Sequence, residues 1–199
     1  MSEVLLNAMA DLARGHQDLA WFADRMTDLP ALAPEPKRLP VCDLIARLDG
    51  GSATVTCDST APAVAALCAA MDGLRWQQTY TLADGFSQDW LDQYGWINLV
   101  SPDGIFLSQQ MRLSIGYWGA GQLYDEHAHA PEETYVVLAG SALFRSEGRA
   151  PVQAGPGTIV HHAPYQRHAI EVTPGPLLAA AFWRGEGLME KSDLLRGHS

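Results

Sequence analysis

His127, His129, Glu133 and Tyr135 stand close together in the stretch GQLYDEHAHAPEETYVVLAG, residues 121–140. The two histidines alternate as strand residues do, the glutamate follows four positions later and the tyrosine two beyond it, so in an extended chain all four side chains point to one face. Imidazole and carboxylate groups on one face can close on a borderline divalent ion, and two histidines with one glutamate leave coordination positions unfilled. A further histidine completes the set, and His168 is placed to supply it. His161 and His162 compete for that role, because one of two adjacent strand residues must face inward. The expected cofactor is one divalent transition metal ion: iron, zinc, manganese, cobalt and nickel all suit these ligands.

Short strands must carry such a site. After Leu74 the runs RWQQTYTL, YGWINLVSP, IFLSQQMRLSIGYW, TYVVLAGSALFRSE, GTIVHHAP, HAIEVTPG and LLAAAFWRG are rich in aromatic and β-branched residues, with Gly and Pro between them. Many short strands with turn signals predict an antiparallel sandwich or barrel. The first part of the chain differs. Val4, Leu5, Met9, Leu12, Leu19, Trp21, Phe22 and Met26 recur with a loosely helical period, and Gly15 marks a break between two helices. Four prolines in residues 29–40 exclude regular helix and predict an extended connector. A short helix is expected over 41–48, ending at Gly50 and Gly51, and a longer one over 60–71, with Pro62 in its first turn and Gly73 at its end. The tail from Leu188 reads as a frayed helix.

The expected architecture is mainly β: a single barrel of residues 74–199 with an N-terminal helical segment, residues 1–73, packed on it as one compact unit. The helical segment is expected to cover part of the barrel mouth, since its apolar residues need a partner.

With 199 residues the chain suits one ordinary domain, and with 47% apolar and 18% charged residues it is expected to be soluble. No apolar run approaches the roughly 20 residues that span a bilayer, and the first residues lack the pattern of a secretory signal, so no membrane association and a cytoplasmic location are expected. A formal charge of -10 without a Lys/Arg cluster argues against nucleic acid. The expected partner is a small-molecule substrate, and the chain is expected to be a monomer or homodimer. Cys42, Cys57 and Cys68 form no CxxC pair and read as reduced thiols.

Gly121, His127, His129, Glu133 and Gly140 meet the first cupin motif, G(x)5HxH(x)3-4E(x)6G, without a gap. The second motif, G(x)5PxG(x)2H(x)3N, is met less well. Gly157 to His168 has its total spacing, but Pro164 sits one place late, Gln166 replaces the glycine and Val172 the asparagine. A cupin of this length with a helical N-terminal part and the pattern YxxHxHxxxExYxxxxG resembles the dimethylsulfoniopropionate (DMSP) lyases of the DddQ type. Tyr124, His127, His129, Glu133, Tyr135 and Gly140 match that pattern throughout. The resemblance implies a cupin (double-stranded β-helix) barrel in which His127, His129, Glu133 and His168 bind the metal and Tyr135 is the base. It implies Trp183, on a late strand, as a substrate-binding residue.

DMSP carries a carboxylate and a sulfonium, and its lysis is a β-elimination that gives dimethyl sulfide and acrylate. A cation beside a phenol favours phenolate, which makes Tyr135 a base candidate next to a metal. Tyr124 is either a hydrogen-bond donor or second base in the same cavity, or a rim residue. Phe182 and Trp183 point to opposite faces, so one of them lines the pocket. An aromatic wall would hold the sulfonium by cation–π attraction. Core packing is expected for Trp96, Trp118, Tyr117 and Trp21. The same ligand set also suits another metal cupin, a dioxygenase or an isomerase. A non-enzymatic ligand-sensing cupin fits less well, because the N-terminal helices have no basic recognition face.

Overall fold

The computed structural model describes residues 1–48 and 56–194. The larger of its two sheets contains β1 (Tyr94–Ser101), β2 (Phe106–Leu107), β3 (Met111–Trp118), β5 (Glu132–Gly140), β8 (Ile159–His162) and β10 (Leu177–Arg184), in the order β2-β1-β3-β10-β5-β8. The smaller contains β4 (Leu123–Ala128), β6 (Ala142–Ser146), β7 (Val152–Ala154), β9 (His168–Glu171) and β11 (Asp193–Leu194), in the order β11-β4-β9-β6-β7. From β4 onward the chain passes back and forth between the sheets, which is the double-stranded β-helix of a cupin. Every pairing except that of β1 with β2 is antiparallel.

Strand periodicity divides the apolar residues into two cores. On β10, Leu178, Ala180 and Phe182 face outward with Ile97, Leu113, Ile115 and Val136 of the neighbouring strands. Leu177, Ala179, Ala181 and Trp183 face inward, against Tyr124, Phe144 and Ile170 of the smaller sheet.

The outward core is closed by helices. In α1 (Ser2–Arg14), Leu5, Met9 and Leu12 lie on one buried face, and α1 packs on α4 (Ala61–Ala70), whose Val64 and Leu67 join the same core. Between them come α2 (Ala20–Ala23) and α3 (Val41–Ile45). Phe22 of α2 meets Phe182 edge to face at 5.3 Å between centroids. Thus the helices back the sheet's outer face, whereas the site residues belong to the inner core; among the described residues, none of the first 73 lines the barrel's cavity. Val4, counted with the apolar stripe, is exposed. The expected helix end at Gly50 and Gly51 lies outside the described residues.

The proline-rich connector is extended and lies along a sheet edge: Leu32 donates to the Ile105 carbonyl at 2.7 Å and Leu107 to the Pro30 carbonyl at 2.8 Å. Such a cover occupies backbone groups that an edge otherwise leaves unpaired. Residues 75–82, expected as a strand, form only isolated bridges, Arg75 with Lys37 and Gln77 with Trp96. Tyr80 is drawn instead into a cluster of rings with Phe86, Trp90, Tyr94 and Tyr124. Next comes α5 (Gln88–Asp92), a helix that strand reasoning passed over, started by Ser87, whose hydroxyl accepts from the Trp90 amide at 3.2 Å. Among the described residues of the tail there is no helix: Asp193–Leu194 form β11, which pairs with β4. No helix among the described residues is long and apolar enough to cross a membrane.

Candidate active site

Four inward side chains form a straight row across the larger sheet. Arg112 on β3 pairs in register with Trp183 on β10, Trp183 with Glu133 on β5, and Glu133 with His162 on β8. The next row is Ser114, Ala181, Tyr135 and Val160. The small side chains of Ser114, Gly116 and Ala181 leave space that larger ones would fill, and a cavity of about 210 Å³ opens there. Aromatic rings of Tyr94, Trp96, Trp118, Tyr124, Tyr135 and Trp183 line it, and Met189 to Ser192 form part of its lip.

The histidines come from the other sheet. His127 is the last residue but one of β4 and His129 follows the strand, while Glu133 and Tyr135 lie on β5 of the larger sheet. The extended run expected from His127 to Tyr135 is therefore broken at Ala130 and Pro131, and the side chains meet from two sheets rather than along one strand. His168, the first residue of β9, pairs in register with His127.

Each of the three rings is held by its Nδ1. His127 Nδ1 donates to the Asp125 carbonyl at 2.8 Å, His129 Nδ1 to the Pro131 carbonyl at 2.9 Å, and His168 Nδ1 to the Gln166 carbonyl at 2.8 Å. A carbonyl only accepts, so Nδ1 carries the proton and Nε2 is left as a lone-pair donor in the neutral ring. His129 Nε2 and His168 Nε2 each lie 3.1 Å from Glu133 Oε2. One ring nitrogen from each of His127, His129 and His168 lies within 4.8 Å of the other two, a spacing that could hold a metal ion.

Electrostatics favour a cation at this point. Glu133 is fully buried; burial alone would raise its pKa, but the surrounding histidines, led by His129, outweigh it and hold the carboxyl well below its ordinary range. Burial and the neighbouring His168 push His127 well below its ordinary value, so that ring is neutral. Buried His168 Nε2 has no hydrogen-bond partner. A ring nitrogen facing a carboxylate oxygen at 3.1 Å is stable when a proton or a metal ion lies between them; burial opposes a proton on His129, but Glu133 outweighs it and raises that pKa. That spacing suits adjacent donors around one ion at about 2.0–2.2 Å, and the set fits a divalent transition metal.

His162 adds a feature that motif reasoning did not resolve. His161 points outward to Thr134 and Glu132, whereas His162 is fully buried, stacked on His168 at 3.9 Å and 10°. Its Nδ1 lies 3.5 Å from Glu133 Oε2 and its Nε2 3.1 Å from Ser146 Oγ. Glu133, His162 and His168 thus form a second group with ligand spacing, sharing two members with the expected four. The alternation of side chains across β8 is the signal that separates His162 from His161.

Tyr135 and Tyr124 are both buried and both line the cavity. Burial pushes each phenol well above its ordinary pKa, and for Tyr135 the Glu133 charge adds to the shift. Tyr124 shares a hydrogen bond with Tyr80 at 3.1 Å, and its ring stands 4.2 Å from that of His127. Trp183 donates its indole N–H to Glu133 Oε1 at 2.5 Å and stacks on His129 at 4.2 Å. The Arg112 guanidinium lies 4.7 Å from the Trp183 ring, so much of that indole is already engaged. Trp118 is buried in the inner core, as expected, with Trp96 packed against it, and both also line the cavity. Tyr117 does lie in the outward core, and Trp21 packs at its margin.

Comparison with known proteins agrees with this geometry. The curated dimethylsulfoniopropionate lyase DddQ of Ruegeria pomeroyi DSS-3 is 34% identical over 112 residues, and that match spans only 56% of this chain and 55% of the relative. Its crystal structure superposes with a TM-score of 0.88 at 28% identity, covering 100% of this chain and 98% of that one. A chain from the crystal structures of the DMSP lyases RdDddP and RnDddQII superposes with a TM-score of 0.89 at 34% identity, covering 97% and 96%. The family model for dimethylsulfoniopropionate lyase matches residues 14–179, and the chain belongs to that family.

Proposed function

We propose that this chain cleaves DMSP by β-elimination to dimethyl sulfide and acrylate, with a metal ion held by His127, His129, Glu133 and His168. The observation that carries the reading is the presence, in one cavity of a lyase-family barrel, of two buried phenols beside that cluster of donors. A divalent ion bound there would supply positive charge that stabilises the charge developing on the substrate as the proton leaves and offsets the burial that keeps both phenols protonated.

The chain's own residues account for the rest. Tyr135, two residues from Glu133 on the same face of β5, takes the proton from the carbon next to the carboxylate. The electron pair released forms the new carbon–carbon double bond, and the carbon–sulfur bond breaks with its pair leaving on dimethyl sulfide. Tyr124 holds the opposite side of the cavity as a hydrogen-bond donor, positioned by Tyr80. Trp183 fixes the Glu133 carboxylate through its indole N–H and walls the cavity. The surrounding rings exclude water from the developing carbanion.

The test is gas-phase detection of dimethyl sulfide from the purified protein supplied with DMSP and, in turn, iron, zinc, manganese, cobalt or nickel. Release that needs one of these ions and stops on chelation is expected. No release with any of them would overturn the reading.

A further inference from the structure

We infer that Arg112 binds the substrate carboxylate and sets the direction in which the substrate lies, a role that rests on the lyase reading above. Arg14, Arg38, Arg145, Arg167 and Arg184 each face a carboxylate, with side chains 38–54% exposed. Arg112 is part-buried and lines the cavity, yet no ion pair holds it among the described residues. An enclosed cation without an anion is costly, so its environment has to be built for it.

That environment is present on every side but one. The guanidinium carbon lies 4.9 Å from the Trp96 ring and 4.7 Å from the Trp183 ring. Nε donates to Asn98 Oδ1 and to Ser114 Oγ, both at 2.9 Å, and Nη1 donates to the Leu188 carbonyl at 3.2 Å. Asn98 and Ser114 are themselves joined at 2.9 Å, which locks the two acceptors. These contacts fix the plane of the guanidinium but leave Nη2 with no protein acceptor among the described residues. A planar fork with free donors at the wall of a cavity matches a carboxylate.

The direction follows from the strand row. Arg112 and Glu133 flank Trp183 on either side, two strand spacings or about 10 Å apart. A sulfonium is repelled by the guanidinium, so it turns along β3 to where Trp118 meets Tyr94 and Tyr124, with ring centroids 5.7–6.3 Å apart. Those faces take the cation, since Trp183 is engaged by Arg112 and His129.

The experiment compares metal-loaded full-length wild type with Arg112→Met and Arg112→Lys, on DMSP and on its primary amide, which keeps the sulfonium and lacks the carboxylate charge. Loss of charge-assisted hydrogen bonds should raise KM for DMSP about 10- to 100-fold in Arg112→Met with a smaller change in kcat, and Arg112→Lys should fall between. On the amide, wild type and Arg112→Met should behave alike. Equal KM for DMSP in wild type and Arg112→Met, or an equal loss on acid and amide, would overturn the assignment. Where Arg112→Met fails to fold by circular dichroism, the acid-to-amide ratio of Arg112→Lys decides by the same rule. Binding of 3-(methylthio)propanoate, followed by calorimetry, separates the two readings. Arg112-dependent binding without any dimethyl sulfide release would sink the lyase and keep the carboxylate site, whereas turnover with Arg112-independent binding would do the reverse.

Discussion

Tyr124 and His127 stand ring to ring, 4.2 Å between centroids, although three residues apart on one strand. In a regular strand that separation sends side chains to opposite faces. On β9 their partners are Ile170 and His168, only two residues apart, so β4 carries one extra residue between them. A bulge of this kind re-aims a side chain, and here it brings the Tyr124 phenol and the His127 imidazole to the same cavity.

Tyr135→Phe removes the ionisable oxygen of the proposed base and keeps the ring, so the core remains packed. Turnover is expected to fall by a factor on the order of 10² or more, mainly in kcat, with bound metal and melting temperature nearly unchanged. Near-normal kcat with full metal would move the base to Tyr124.

Removal of His168 and of His162 should have different consequences. His168→Ala deletes a proposed ligand and is expected to lose most bound metal, measured by elemental analysis. His162→Ala takes away the ring stacked on it, and affinity should drop about 10- to 100-fold, the scale for a supporting group, with stoichiometry restored at high metal. If His168→Ala stays loaded and His162→Ala cannot be loaded, then Glu133, His162 and their neighbours form the true set.

Phe22→Ala tests the place of the helices. Phe22 is almost fully buried against Phe182 on the outer face of the sheet, and its truncation should cost about 3–5 kcal/mol. Because the helices back the sheet, KM of the molecules that remain folded should stay close to wild type. A large rise in KM at a temperature where the variant is folded would show that the helical layer shapes the cavity mouth.

Stability should decline in alkali. Burial raises the folded-state pKa of Tyr94, Tyr124 and Tyr135 above the ordinary value of about 10. Below pH ~10 both states keep these protons. At higher pH the unfolded chain loses them while the folded chain does not, so the stabilisation is lost as pH rises toward the folded values. Urea midpoints of the metal-free protein measured on both sides of pH ~10 should show this fall, and Tyr94→Phe should reduce its slope by the share of one proton.

The spacing of His127, His129, Glu133 and Tyr135 and the alternation on β10 were legible in the residues themselves, since they depend on local chemistry and strand period. The same holds for α4, with Pro62 near its start and Gly73 just past its end, and for the extended proline-rich connector. What local pattern could not supply was the partner of each strand. The corner at Ala130 and Pro131 sends β4 and β5 to different sheets, and the bulge after Tyr124 shows itself only against β9. Residues 75–82 have strand composition, but ring contacts with α5 and β4 outweigh that propensity. Arg112 lies 71 positions before Trp183, and the tail of the chain supplies the lip of the cavity; only the pairing of β3 with β10 and of β11 with β4 brings these residues to the site. Sequence determined which side chains were available for chemistry, and long-range strand pairing decided which of them share one cavity, because register across a sheet is set by contacts between residues far apart in the chain.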